Sequence, residues 1–229
     1  MKMNNTAPVD LGDGLEILQY SDGFGFGTDA VLLSQFVSSP GSDAFGVEFG
    51  TGTGAIPILL SQRCRFGSIT AFEIQEEYAL LAEENVKRNS LSHKISIINA
   101  DLKNARKLIP READFVFTNP PYMKADSGRL NPDKKKLIAR HEICCTVDDV
   151  CQSAYKVLKS GGDFFAVYRT DRLSDMICAM RNARIEPKEL VTVDTKRDNS
   201  PTLFLVRGKK DGKSSLSLRT LPFEKNMQF

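Results

Sequence analysis

The stretch AFGVEFGTGTGAIPILLSQR, residues 44–63, holds the key to the fold. Its first six residues form an apolar run with one acid, Glu48, and read as a strand. Gly-Thr-Gly-Thr-Gly follows, and AIPILLSQR then reads as a short helix. Pro57 is tolerable because it falls in the first turn, where backbone N–H groups have no intrahelical acceptor. A strand delivered through glycines into a helix start opens an α/β unit. Gly50, Gly52 and Gly54 let the chain turn tightly, admit a ligand close to the backbone, and leave N–H groups free at the helix start.

The same alternation continues outward. SITAFE (68–73), KISIIN (94–99), ADFVFT (113–118) and DFFAVY (163–168) read as strands. QEEYALLAEENVKRN (75–89) places Tyr78, Leu81, Ala82, Asn85 and Val86 near helical spacing. TVDDVCQSAYKVLKSGG (146–162) reads as a helix capped by Thr146 with Asp149 three residues on, ending at its glycines. DRLSDMICAMRNA (171–183) is a further helix, and LVTVDT (190–195) and TLFLVRG (202–208) are strands with no helix between them. The expected fold class is α/β: a doubly wound, mostly parallel seven-stranded sheet with an antiparallel last strand. Residues 1–42 form an N-terminal segment and 43–229 the main domain, together one compact unit. In such sheets ligands bind outside the C-terminal strand ends. That rule singles out residues 50–54, 73, 101 and 119–122.

Glu73 ends the second of these strands, 23 residues after Gly50, where a carboxylate can accept hydrogen bonds from both ribose hydroxyls of an adenosine. Dinucleotide sites use G-x-G-x-x-G, whereas this chain has G-x-G-x-G preceded by Glu48, an acid that would repel a pyrophosphate. An acid there suits a cofactor with a positive amino group, such as S-adenosyl-L-methionine. Asp101, in INAD, can accept from the adenine amine or can cap a helix. In GFGFGTDA (23–30), small residues lead into VLLSQF, a tight loop capped by Thr28 that opens an apolar helix and can contact a ligand.

The fourth strand runs into Asn119-Pro120-Pro121-Tyr122. Prolines end strands, so a turn alone would explain their presence. A planar NH₂ group explains the composition better. Its lone pair is delocalised, and two acceptors aimed at its N–H bonds promote attack better than a base would. The Asn119 side-chain oxygen and the Pro120 carbonyl, steadied by proline's fixed φ, are such acceptors. Tyr122 can stack on the flat face of a base.

Hydrophobic residues at 41% and charged residues at 26% fit a globular domain and exclude disorder. No run is long and apolar enough for a membrane span, and the polar start MKMNNTAPVD does not read as a signal peptide. Five irregularly spaced cysteines suit a reducing cytoplasm and lack metal-ligand spacing, so no metal is expected. Net charge is only +2, but Lys124, Arg129, Lys134, Lys135, Lys136 and Arg140 crowd residues 124–140 against Asp126 and Asp133. Arg207, Lys209, Lys210, Lys213 and Arg219 face only Asp211 in the C-terminal sequence. Such fields can steer a phosphate backbone.

EFGTGTG, the strand-end FE (72–73), NAD (99–101) and TNPPY (118–122) resemble the class I, Rossmann-like S-adenosylmethionine-dependent amino-methyltransferases. YSDGFGFGTDAVLLSQF (20–36), ARHE (139–142), LKSGGDFFAVYRTDRL (158–173) and NSPTLFLVRGKK (199–210) narrow the resemblance to the bacterial tRNA(valine) adenine-N6 methyltransferases. The resemblance implies that Glu48, Gly50, Gly52 and Gly54 hold the methionine end of the cofactor, Glu73 the ribose, and that Asp101 lies by the adenine. It also implies that Phe26, Gly27, Thr28 and Asp29 lie on a helix covering the cofactor, Thr28 near its carboxylate. Asn119, Pro120, Pro121 and Tyr122 would form the target pocket. Lys124, Arg129, Lys134, Lys135, Lys136, Arg140 and His141 follow it in sequence, where they can hold an RNA backbone.

The expected function is therefore methyl transfer to the N6 amine of an adenine in RNA, in a tRNA anticodon loop. A DNA adenine methyltransferase would need room for a base-reading domain. A protein glutamine methyltransferase, whose target is a similar planar amide, is expected to carry a larger N-terminal recognition domain. A non-catalytic cofactor-binding module remains a fourth reading. No motif distinguishes a monomer from a dimer.

Overall fold

Strand and helix alternate as the apolar periodicity dictates. A computed structural model describes residues 5–21, 26–38, 41–120, 145–194 and 201–221. Strands β1 (Thr6–Gly12) and β2 (Leu15–Tyr20) form a hairpin, and α1 (Thr28–Phe36) leads to β3 (Phe45–Phe49). Then come α2 (Ala55–Arg63), β4 (Ser68–Glu73), α3 (Glu76–Arg88), β5 (Ile95–Asn99), the short α4 (Ala105–Leu108) and β6 (Ala113–Thr118). The remainder comprises α5 (Val147–Val157), β7 (Leu158–Arg169), α6 (Leu173–Asn182), β8 (Ile185–Asp194), β9 (Pro201–Lys210) and β10 (Ser217–Leu221).

The main sheet runs β10-β8-β9-β7-β6-β3-β4-β5. β9 is antiparallel to both β7 and β8, while the other neighbours pair in parallel. All seven expected strands form, the last of them antiparallel, and β10 adds an eighth. From β3 the chain winds one way through β4 and β5 and the other way through β6 and β7. The switch point, where such sheets open a crevice, lies between β3 and β6.

Alternation along the strands builds a core on each face. Phe115, Phe117, Phe165 and Val167 pack with the hairpin, α1, α2 and α3 on one side. Val116, Phe164, Ala166 and Tyr168 pack with α4, α5 and α6 on the other. Phe45, Val47 and Phe49 of β3 join the second core, so Gly46 and Glu48 face the first. At Gly46 a Cβ would lie 2.3 Å from the Phe115 ring, so no larger residue fits under it.

The hairpin is held by two asparagines of α3. Asn85 Oδ1 accepts from Leu18 N (2.7 Å) while its Nδ2 donates to Leu18 O (2.9 Å). Asn89 exchanges the same pair of bonds with Glu16, at 3.2 and 2.8 Å. Four residues of helix rise about 6 Å and two residues of strand about 6.7 Å, so one helix face can imitate a neighbouring strand. Asn85 sits on the expected apolar stripe, but as a hydrogen-bonding hub.

Two local expectations differ from the structure. The helix from Thr146 stops at Val157, and residues 158–162 start β7 instead. Lys159-Ser160-Gly161-Gly162 propagates a helix poorly, and the fully buried Leu158 joins the sheet. The Thr146–Asp149 capping box is present as expected. Thr28 is not a cap: Gly27 occupies that position without a side-chain bond, and Thr28 is the first helical residue.

Candidate active site

The ends of β3, β4, β5 and β6 carry the sequence-selected residues on one edge of the sheet. After β3 the chain turns through Gly50, Gly52 and Gly54 at φ 70°, 56° and 80°. These left-handed angles are strained for other residues, and a Cβ at Gly50 or Gly52 would meet nothing within 4 Å, which leaves that face of the turn open. Gly50 N and Thr51 N both donate to Phe72 O, at 2.8 and 3.0 Å, which fastens the turn to β4. Asn85 Nδ2 adds a bond to Thr53 O at 2.9 Å, joining the turn to the hairpin's anchor.

Two buried acids flank this turn in different states. Glu73 is 4% exposed, and its oxygens accept from Gly52 N and Gln75 N, each at 2.9 Å. A carboxylate has about four acceptor sites, so capacity for further donors remains. Glu48 is 0% exposed, and neither of its oxygens has a hydrogen-bond partner. Burial pushes its pKa from the ordinary 4.5 to about 8. Thr51 partly offsets this rise although its hydroxyl lies outside hydrogen-bonding geometry, and the Glu73 charge adds to it. The Thr51 hydroxyl is likewise buried without a partner.

A buried acid left orphaned at a helix-start turn is expensive to keep. It fits a ligand that brings a cation, since an ammonium would restore the charged carboxylate. Asp101 caps the turn after β5: Oδ1 accepts from Lys103 N at 2.8 Å, and Oδ2 lies 3.6 Å from Lys103 Nζ.

β6 brings Asn119 and Pro120 to the switch point. Thr118 pairs with Phe49 across the β3–β6 ladder, and its buried hydroxyl donates to Phe49 O at 2.9 Å. Asn119 and Pro120 therefore follow one strand over from the glycine turn. The Asn119 amide donates through Nδ2 to Asp29 Oδ2 at 3.1 Å. Thr28 and Asp29, opening α1, thus come to the same edge. Pro121, Tyr122, Lys124, Arg129, Lys134, Lys135, Lys136, Arg140 and His141 lie outside the described residues.

The sequence motifs gave Thr51 and Asn85 no functional part and placed Asp29 only on the helix expected to cover the cofactor. An acid two residues past a glycine was the local signal for Asp29, but its partner stands 90 residues away. Among the described residues, no group of three His, Cys, Asp or Glu could hold a metal, and no helix is long and apolar enough to cross a membrane.

An edge that offers a buried, unpaired acid for a cation beside a glycine turn and a second acid at the next strand end fits the S-adenosylmethionine-dependent methyltransferases. Among these, the chain belongs to the methyltransferase small domain family, which matches residues 21–183. It is 31% identical over 181 residues to the tRNA1(Val) (adenine(37)-N6)-methyltransferase of Bacteroides thetaiotaomicron, covering 79% of this chain and 74% of that protein. The fold is similar to that of a predicted O-methyltransferase from Agrobacterium tumefaciens, with a TM-score of 0.69 at 20% identity, over 88% of this chain and 90% of the other. It is also similar to geranyl diphosphate C-methyltransferase from Streptomyces coelicolor A3(2), crystallised with S-adenosyl-L-homocysteine, with a TM-score of 0.56 at 13% identity over 79% and 76% of the two chains. The protein is an S-adenosylmethionine-dependent N-methyltransferase.

Proposed function

We propose that the protein methylates the N6 amine of an adenine in RNA, within the anticodon loop of a tRNA, in the cytoplasm. The observation that carries this reading is the delivery of Asn119-Pro120 to the switch point beside the glycine turn, with Thr118 tied to Phe49. The activity named for the Bacteroides thetaiotaomicron relative supports the choice of substrate.

Glu48, Gly50, Gly52 and Gly54 would hold the methionine end of the cofactor, with Thr28 near its carboxylate. Glu73 would hold the ribose, and Asp101 would lie by the adenine. When bound, S-adenosylmethionine supplies a methyl carbon made electrophilic by its sulfonium. The chain's own contribution is to hold the target amine. Asn119 Oδ1 and the Pro120 carbonyl accept its two hydrogens, and they bind more tightly as positive charge grows on nitrogen. The surplus proton is then lost to water. Pro121 and Tyr122 complete the pocket, Tyr122 by stacking, which is worth about 1–3 kcal/mol per base. Lys124, Arg129, Lys134, Lys135, Lys136, Arg140 and His141 would contact the RNA backbone. An adenine in an exposed loop is already unstacked enough to enter such a pocket.

The test is transfer of labelled methyl from S-adenosylmethionine to total tRNA, rRNA, DNA and protein, followed by mapping of the label. Label at an adenine N6 beside a tRNA anticodon is expected. Label confined to DNA or to a protein glutamine would replace the substrate assignment, and cofactor binding without any transfer would leave a binding module.

A further inference from the structure

The proposed reading needs the oxygen of Asn119 to face the substrate amine, yet an amide has two faces of nearly equal shape. The NH₂ face would meet the substrate's N–H bonds donor against donor. Something must select the orientation. In the structure the group facing Nδ2 is the Asp29 carboxylate, with Oδ2 at 3.1 Å. An ionised carboxylate only accepts, so the amide edge beside it must be the NH₂ edge and Oδ1 is turned elsewhere. Asp29 is itself held, because its Oδ1 accepts from Ala30 N at 3.0 Å in the first turn of α1. Ala30, Val31, Leu32 and Leu33 are all buried, which anchors that turn in the core. A Cβ on Gly27 would lie 2.6 Å from Asp29 Oδ1, so the preceding glycine leaves the carboxylate the space it occupies.

We infer that Asp29 is a positioning residue that sets the orientation of the Asn119 amide and thereby presents Oδ1 to the substrate amine. The inference rests on the reading of Asn119 as an acceptor. It gives α1 a part in the chemistry although Asp29 touches no reacting atom. It also explains why an asparagine can serve as an acceptor without being orientated by the substrate itself.

The isosteric variant Asp29→Asn tests it, because an amide at 29 can donate as well as accept and no longer selects one face. We expect kcat to fall roughly tenfold, the value of about one net hydrogen bond. KM for RNA, affinity for S-adenosylhomocysteine and melting temperature should stay near wild type. Asp29→Glu, acceptor-only though longer, should keep more activity than Asp29→Asn. In an Asn119→Ala background, where no amide remains to orient, Asp29→Asn should cause no further loss in single-turnover rate. Normal turnover by Asn119→Ala alone would overturn the reading of Asn119. An impaired Asn119→Ala protein with either a normal Asp29→Asn protein or additive losses in the double variant would overturn the role of Asp29 and spare that of Asn119. Loss of cofactor affinity or folding in Asp29→Asn at unchanged kcat would also overturn it.

Discussion

The two sides of the strand-end crevice differ in what their polar groups already hold. On the glycine-turn side, Glu48 and the Thr51 hydroxyl are buried with no partner. On the Asn-Pro side, Asn119 is engaged by Asp29, and Thr118 by Phe49 O. An orphaned acid stores free energy that a ligand cation can release on binding. An engaged amide is instead preset, so its orientation need not be fixed at the moment of reaction. In the proposed function one side serves affinity and the other geometry, and substitutions on the two sides should therefore have different signatures.

The largest effect should come from Asn119→Ala. It should lower kcat by about 10²-fold or more, the scale of a lost transition-state hydrogen bond, while calorimetry finds S-adenosylhomocysteine bound almost as in the wild type. A parallel collapse of cofactor affinity would erase the contrast between the sides. Glu48→Gln should do the reverse, weakening cofactor binding while sparing turnover in the complexes that form. It also carries a pH signature. The folded protein holds the Glu48 proton more tightly than the unfolded chain does, with a pKa of about 8 against 4.5. Its contribution to stability is therefore present below the lower value and lost as pH rises toward the higher one. Over that window the cofactor-free wild type should lose on the order of a few kcal/mol that Glu48→Gln retains, read by thermal melts at pH 6 and pH 9.

Asn85→Ala should affect both sides indirectly. It strips Leu18 and Thr53 of buried partners, costing about 2–4 kcal/mol in denaturant unfolding. It should also loosen the glycine turn, seen as weaker cofactor binding. Exchange of Lys134, Lys135 and Lys136 for Glu should weaken RNA binding and reduce its log–log salt slope by up to about 3, without changing cofactor affinity. An unchanged slope would remove those lysines from the RNA interface. The smallest effect is expected from Thr146→Ala, which deletes the α5 capping box, a set of bonds that no proposed site residue enters. It should cost about 1 kcal/mol of stability and leave kcat and both affinities alone.

Local chemistry made much of this legible. The glycine turn, the acids at 48 and 73 and the strand ahead of Asn119 are short-range features, and their spacing places them on one sheet edge. The hairpin has a local signal too: Gly12-Asp13-Gly14 between alternating apolar residues marks a hairpin turn, and Asp13 and Gly14 adopt φ 53° and 80°. Other features depend on partners remote in sequence. The C-terminal cations, opposed in sequence only by Asp211, are largely paired across the sheet. Arg207 and Lys209 reach Asp163, and Arg219 reaches Glu189, because β9 lies between β7 and β8 and β10 lies beside β8.

By itself, the sequence determined the alternation of strands and helices, the antiparallel closing pair, and the placement of Asn119-Pro120 at a strand end beside a glycine turn. These follow from periodicity, glycine conformational freedom and the fixed φ of proline, all of which act over a few residues. Only the tertiary structure decided which acid is left unpaired, which asparagine latches the hairpin, and which carboxylate orients Asn119. Burial and hydrogen-bond completion are properties of the packed chain, and each depends on groups brought together from tens of residues apart.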